Sequence, residues 1–104
     1  MKDSGGCIDI VTDEQILEAQ RWLASEEGIF VEPASAASVA GLMKCFSGER
    51  CVACPFHSLP EGAKVVLTVT GHGLKDPEAP MVHGFKALEA ETTMEGVAGV
   101  LGVD

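Results

Sequence analysis

Lys64-Val65-Val66-Leu67-Thr68-Val69-Thr70-Gly71-His72-Gly73-Leu74-Lys75-Asp76-Pro77 is the stretch on which the reading of this chain turns. It begins as a near-continuous β-branched and apolar run. Such a run predicts a strand covered on both faces, the kind found inside a parallel sheet. Gly71-His72-Gly73 breaks it, and Pro77 prevents a smooth continuation. Thr70 then stands at the carboxyl end of a central strand. In open α/β sheets, ligands bind outside those ends. The Thr70 hydroxyl is therefore a candidate ligand contact, with glycine backbone beside it that a ligand can approach closely. The alternative is that Thr70 bonds its own turn and the glycines only shape that turn.

The 104 residues suffice for one small domain. Hydrophobic residues make up 46%, which is apolar for a short chain, since small domains keep proportionally more surface wet. No apolar run reaches the length of a membrane span, so no membrane is expected as partner. The surplus apolar surface is expected to face protein instead, either further chain or a partner. Sixteen acidic residues against seven basic ones give a net charge of -9, which disfavours a nucleic-acid partner. The first six residues lack the apolar core of a signal peptide. Four cysteines without such a signal predict a reducing, cytoplasmic setting.

Upstream of the opening stretch, Ile8 and Ile10-Val11 form a short strand candidate. Thr12-Asp13-Glu14-Gln15 is a capping box that starts a helix from Asp13 to about Glu26. Ile16, Ala19 and Leu23 share its apolar face, and Gly28 ends it. Ile29-Phe30-Val31 is a second strand candidate. Glu32-Pro33 opens another helix, which runs to Phe46. Its residues are small or apolar almost all round, so it is expected to be buried on every side. After Pro77 the chain reads as irregular to Gly84, then as an edge strand from Phe85 to Ala90. Thr92-Thr93-Met94-Glu95 reads as a second capping box, leading a helix through Val97, Val100 and Leu101. The order strand, helix, strand, helix, strand, strand, helix predicts α/β layering with parallel pairing.

Two motifs then stand together, Glu32-Pro33-Ala34-Ser35-Ala36-Ala37 and Thr70-Gly71-His72-Gly73-Leu74-Lys75-Asp76-Pro77. With Val11-Thr12-Asp13-Glu14 and Glu26-Glu27-Gly28-Ile29-Phe30 before them, they resemble the carboxyl-terminal part of the threonine synthase family. The resemblance runs from about Ser4 to Asp76 and continues more weakly to the end. That family belongs to the fold type II pyridoxal-phosphate enzymes, the tryptophan synthase β-like group. The resemblance implies a partial three-layer sandwich with a mostly parallel sheet. It implies pyridoxal phosphate as cofactor and conversion of O-phosphohomoserine and water to threonine and phosphate.

By resemblance, the Thr70 hydroxyl meets the cofactor's pyridine nitrogen. A neutral hydroxyl does not hold a proton on that nitrogen as a carboxylate would, so the ring is a milder electron sink. Gly71, Glu32, Ala34 and Ser35 are carried over as neighbours of the cofactor, though Glu32 has a second reading as cap and orienter of its helix. The family's Schiff-base lysine and Gly-rich phosphate loop lie upstream of the matched region. None of Lys44, Lys64 and Lys75 sits in a motif resembling that lysine, and Lys75 is expected to make an ion pair. No Gly-rich loop here opens a helix as a phosphate cradle requires. Residues 1–104 therefore read as one α/β segment of a larger enzyme. Its expected partners are the missing amino-terminal part, a phosphorylated amino acid and a further copy in a homo-oligomer. The segment alone is expected to be inactive.

Cys45, Cys51, Cys54 and His57 form C-x5-C-x2-C-x2-H in a loop spanning 47–63, longer than the family's usual turn there. Three thiols and an imidazole can satisfy tetrahedral zinc. The favoured reading is a metal-free insertion, because Pro55, Pro60 and Gly62 already supply turn chemistry. His83 reads as a solvated loop residue, and His72 as part of a tight turn near the site. Two other classes remain beside the enzyme fragment: a non-catalytic interaction or metal-binding module built on this fold, and a related pyridoxal-phosphate lyase.

Overall fold

The spacing of Ile16, Ala19 and Leu23 requires a partner surface on one side of their helix, and the following segment supplies it. A computed structural model of the chain describes residues 3–48, 59–82, 84 and 86–103. Helix α1 spans Asp13–Glu26. Its capping box forms as the sequence predicts. The Gln15 amide donates to Thr12 Oγ1 at 3.2 Å, and the Thr12 amide donates to Gln15 Oε1 at 2.9 Å. Glu14 sits in the same first turn. Its own backbone amide, and secondarily the Thr12 hydroxyl, hold its carboxyl below the usual range. Gly28, at φ 66°, turns the chain after α1, and the Ile29 amide donates to the Leu23 carbonyl at 3.0 Å.

Helix α2 spans Pro33–Phe46, with Glu32 at the N-cap and Pro33 in the first turn. Proline is suited there because its missing N–H would have no partner inside the helix. The two helices pack through Ala19, Leu23, Ala36, Val39 and Ala40, joined by Val31. Small side chains let the helix axes approach closely, but each removes little apolar area from water. Among the described residues no large side chain is fully buried. The radius of gyration is 17.9 Å, against about 13 Å for a compact domain of this length.

Several expectations are corrected. Among the described residues there is no β-ladder, and the mostly parallel sheet does not form. One isolated bridge pairs Val31 with His72, and it is antiparallel. Residues 64–70 keep the alternation of a half-buried strand instead of a fully buried one. Leu67 and Val69 face the helix pair, while Val66 is 89% exposed. The physical reason is that an apolar run reports burial, whereas a ladder needs a second strand in register. One helix layer here covers one face. For the same reason α2 is buried along one side only, and Phe46 is exposed. Ile8 to Val11, Ile29-Phe30 and 86–90 form no strand either, and Phe85 lies outside the described residues.

The irregular stretch after Pro77 contains a short helix, α3, at Glu78–Val82. Helix α4 spans Met94–Leu101 and buries no residue. Its N-cap is Thr93, not Thr92, and the Gly96 amide donates to Thr93 Oγ1 at 3.0 Å. A glycine at the third position leaves no side chain to complete a capping box. Among the described residues no helix is long and apolar enough to cross a membrane.

Gln20 is the structural residue that periodicity does not reveal. It is buried, and its Nε2 donates to the Val31 carbonyl at 2.7 Å. It thereby fixes the strand-like segment between α1 and α2. Gln20→Leu should keep the volume and leave that carbonyl without its side-chain donor. The expected cost is about 1–3 kcal/mol, read as a lower urea midpoint at unchanged slope. An unchanged midpoint would show that Val31 is held by packing alone.

Candidate functional site

Ser35 and Thr70 lie 35 residues apart in sequence, and backbone geometry joins their two motifs. The Glu32 amide donates to the Gly71 carbonyl at 3.0 Å, and the Gly73 amide donates to the Phe30 carbonyl at 3.1 Å. Ser35, on the first turn of α2, completes the junction. Its Oγ accepts from the buried Gly71 amide at 2.7 Å and lies 3.5 Å from Thr70 Oγ1. Ser38, one turn on, donates to the Thr68 carbonyl at 3.1 Å. Residues 30–38 are thus laid against residues 68–73 by five polar contacts. Thr70 itself stays exposed.

Thr70 and Gly71 line an open depression of about 350 Å³, together with Phe30, Val31, Val69 and His72. A larger depression of about 450 Å³ lies against Gln20, Phe30, Leu74, Pro77 and Met81. It is mostly apolar and lacks an exposed hydroxyl, so the smaller one is the candidate site.

The glycines act differently from the turn-making role the sequence suggests. Neither Gly71 nor Gly73 has positive φ. Each lies at a close approach: a Cβ on Gly71 would overlap the Glu32 side chain, and one on Gly73 would overlap the Phe30 ring. His72 caps the following turn, its Nδ1 accepting from the Leu74 amide at 3.1 Å, and its ring meets Phe30 edge to face.

The structure therefore brings together Glu32, Ser35, Thr70 and Gly71. Glu32 makes no side-chain cap; its carboxylate lies against Gly71 and 3.9 Å from Lys75 Nζ, the ion pair expected of Lys75. Ala34 is exposed on the same first turn and offers no polar group. Lys44 is engaged elsewhere, donating to Asp9 and to the Ile10 carbonyl. Cys45 is buried on α2, while Cys51, Cys54, His57 and His83 lie outside the described residues. Among the described residues no three His, Cys, Asp or Glu side chains cluster in a way that could hold a metal ion.

The sequence profile of the family described as "Pyridoxal-phosphate dependent enzyme" matches residues 1–71. This chain belongs to that family. It is 43% identical over 98 residues to the threonine synthase of Methanocaldococcus jannaschii, covering 94% of this chain and 22% of that protein. It is 44% identical over 103 residues to the threonine synthase of a Synechocystis species, covering 97% and 24%. To the threonine synthase of Halalkalibacterium halodurans it is 50% identical over 80 residues, covering 76% and 20%. The chain thus spans about a fifth to a quarter of the length of the curated relatives it matches.

The described residues fit one end of pyridoxal phosphate. Thr70 presents a neutral hydroxyl beside an open depression, a donor of the kind a pyridine nitrogen can accept from. The phosphate end finds no cradle among them. The capping box closes the start of α1, Thr93 closes the start of α4, and α2 begins with Pro33 behind the acidic Glu32.

The two glycines should differ on substitution. Gly71→Ala meets the far end of a flexible glutamate, which can swing aside at the cost of a weak, exposed ion pair worth under about 1 kcal/mol. Gly73→Ala meets an aromatic ring packed on His72 and should cost about 1–3 kcal/mol. Urea unfolding of both variants checks the order, and equal costs would refute the close-approach account of Gly73.

Proposed function

We propose that this chain is the carboxyl-terminal part of a threonine synthase and forms the pyridine-nitrogen side of its cofactor site. The observation that carries the reading is the junction of Glu32 to Ala37 with Thr70 to Gly73, through Ser35, Gly71 and Glu32. Similarity over 94–97% of the chain to two threonine synthases supports it. The proposed overall reaction is O-phosphohomoserine and water to threonine and phosphate. The substrate's phosphate and the cofactor's own would be held by the upstream part. We further propose the fold type II sandwich for the assembled protein, with residues 64–70 gaining strand neighbours from that part. A cytoplasmic setting, a homo-oligomer and a metal-free 47–63 insertion complete the reading.

Bound at this site, pyridoxal phosphate supplies the electron sink for carbanion chemistry. This chain's residues bind and orient. The Thr70 hydroxyl donates to the ring nitrogen, and no carboxylate replaces it there, because Glu32 is turned to Gly71 and Lys75. Thr70→Val in the complete enzyme removes that donor at nearly constant shape. Cofactor affinity and kcat should fall by the equivalent of about 1–3 kcal/mol while the fold survives. Unchanged values would remove Thr70 from the site.

The chain by itself is predicted to be inactive. Incubated with pyridoxal phosphate and reduced with borohydride, it should retain less than stoichiometric cofactor, spread over several lysines. One equivalent trapped on a single lysine would overturn the assignment of the covalent anchor to the upstream part.

A further inference from the structure

We propose that Ser35 is a positioning residue: it acts on the cofactor through Thr70, by fixing which way the Thr70 proton points. This rests on the reading of Thr70 given above. A hydroxyl on the first turn of a helix has few places to send its proton. The commonest acceptor for a helical serine is the carbonyl four residues back, here Val31. That carbonyl accepts from Gln20 Nε2 at 2.7 Å, and Ser35 Oγ makes no hydrogen bond to it. The carbonyl three residues back, Glu32, accepts from the Ser35 amide at 3.0 Å but makes no hydrogen bond with Ser35 Oγ. The Gly71 amide donates into Ser35 Oγ at 2.7 Å, so that direction uses an oxygen lone pair and not the proton. Among the described residues the remaining acceptor is Thr70 Oγ1, 3.5 Å away.

Ser35 is 7% exposed, so leaving its proton without an acceptor would be costly. The proton is therefore directed at Thr70. Thr70 Oγ1 accepts from the buried side and keeps its own proton for the exposed side, where the depression lies. A freely rotating threonine could offer either a lone pair or a proton to a ligand. With Ser35 donating to it, Thr70 does not spend its own proton on the buried side and has it free for the exposed side, which suits an unprotonated pyridine nitrogen as acceptor. The 3.5 Å separation is at the outer limit of a hydrogen bond. Contacts of this kind shorten when a ligand engages the outer partner.

The test uses the complete enzyme loaded with pyridoxal phosphate carrying 15N in its ring. The ring-nitrogen resonance and the cofactor dissociation constant are measured for wild type, Thr70→Val, Ser35→Ala and the double variant. Thr70→Val should move the resonance toward that of a nitrogen without a donor and weaken binding roughly five-fold, the size of one neutral hydrogen bond. Ser35→Ala should move it the same way by a smaller amount, and in the Thr70→Val background it should move it no further. If Ser35→Ala does not fold, Ser35→Cys, with a poor donor at similar volume, carries the same comparison. A shift with Thr70→Val but none with the Ser35 variants overturns this proposal and leaves the Thr70 reading standing. Additive shifts in the double variant also overturn it, because Ser35 would then touch the cofactor itself. No shift with Thr70→Val removes the Thr70 reading and this inference with it.

Discussion

The Gly71 peptide is held from both sides, and the arrangement of the rest depends on that. Its N–H is bound by a side-chain oxygen from α2, and the carbonyl of the same residue by the amide that precedes α2. Both partners belong to one helix start, so the turn cannot move without the helix. The helix in turn is fixed by its packing on α1 and by the Gln20 bond to Val31. A surface threonine thereby acquires a defined position from a layer that lies entirely behind it.

The layer itself is thin. Alanines at 19, 36 and 40 bring the helices together but contribute little buried area, so polar contacts carry an unusual share of the specificity. Buried polar groups left without partners are costly, and that makes the wrong registers of α2 against residues 68–73 unfavourable. Sliding α2 by one residue would separate Ser35 from Gly71 and Ser38 from Thr68 together. The two serines, one turn apart, act as a register mark.

Local rules made α1 and the start of α2 legible in the sequence, and the pairing of the two motifs came from the family resemblance. The Thr12 box and Pro33 at a first turn depend only on neighbours within four residues. What was not legible depended on distant surfaces. The Lys64 to Thr70 run carries the composition of a doubly covered strand, but its composition does not say whether the covering layers are present. Nothing in the sequence marks Gln20 for burial, since polar side chains on helices usually face solvent, and only the Val31 carbonyl explains it. The second helix cap slipped by one residue because adjacent threonines both satisfy the local rule. Gly71 and Gly73 carry two readings, close approach by a ligand and turn formation, and neither names the Glu32 side chain and the Phe30 ring that crowd their Cβ positions. Thr70 is a candidate from its place at a strand end and Ser35 by resemblance, but their relation to each other is visible only once the Gly71 amide is placed between them.

The exposed side of residues 64–70 has a calorimetric consequence. Val66 stands almost fully in water, and Ile8, Ile10 and Phe46 are also largely exposed. Whatever covers these groups releases ordered hydration, and that process carries a negative heat-capacity change whether its enthalpy at one temperature is positive or negative. The enthalpy of covering this face must therefore become more exothermic as temperature rises, while the polar clamp at Gly71, formed within the chain, contributes almost nothing to that slope.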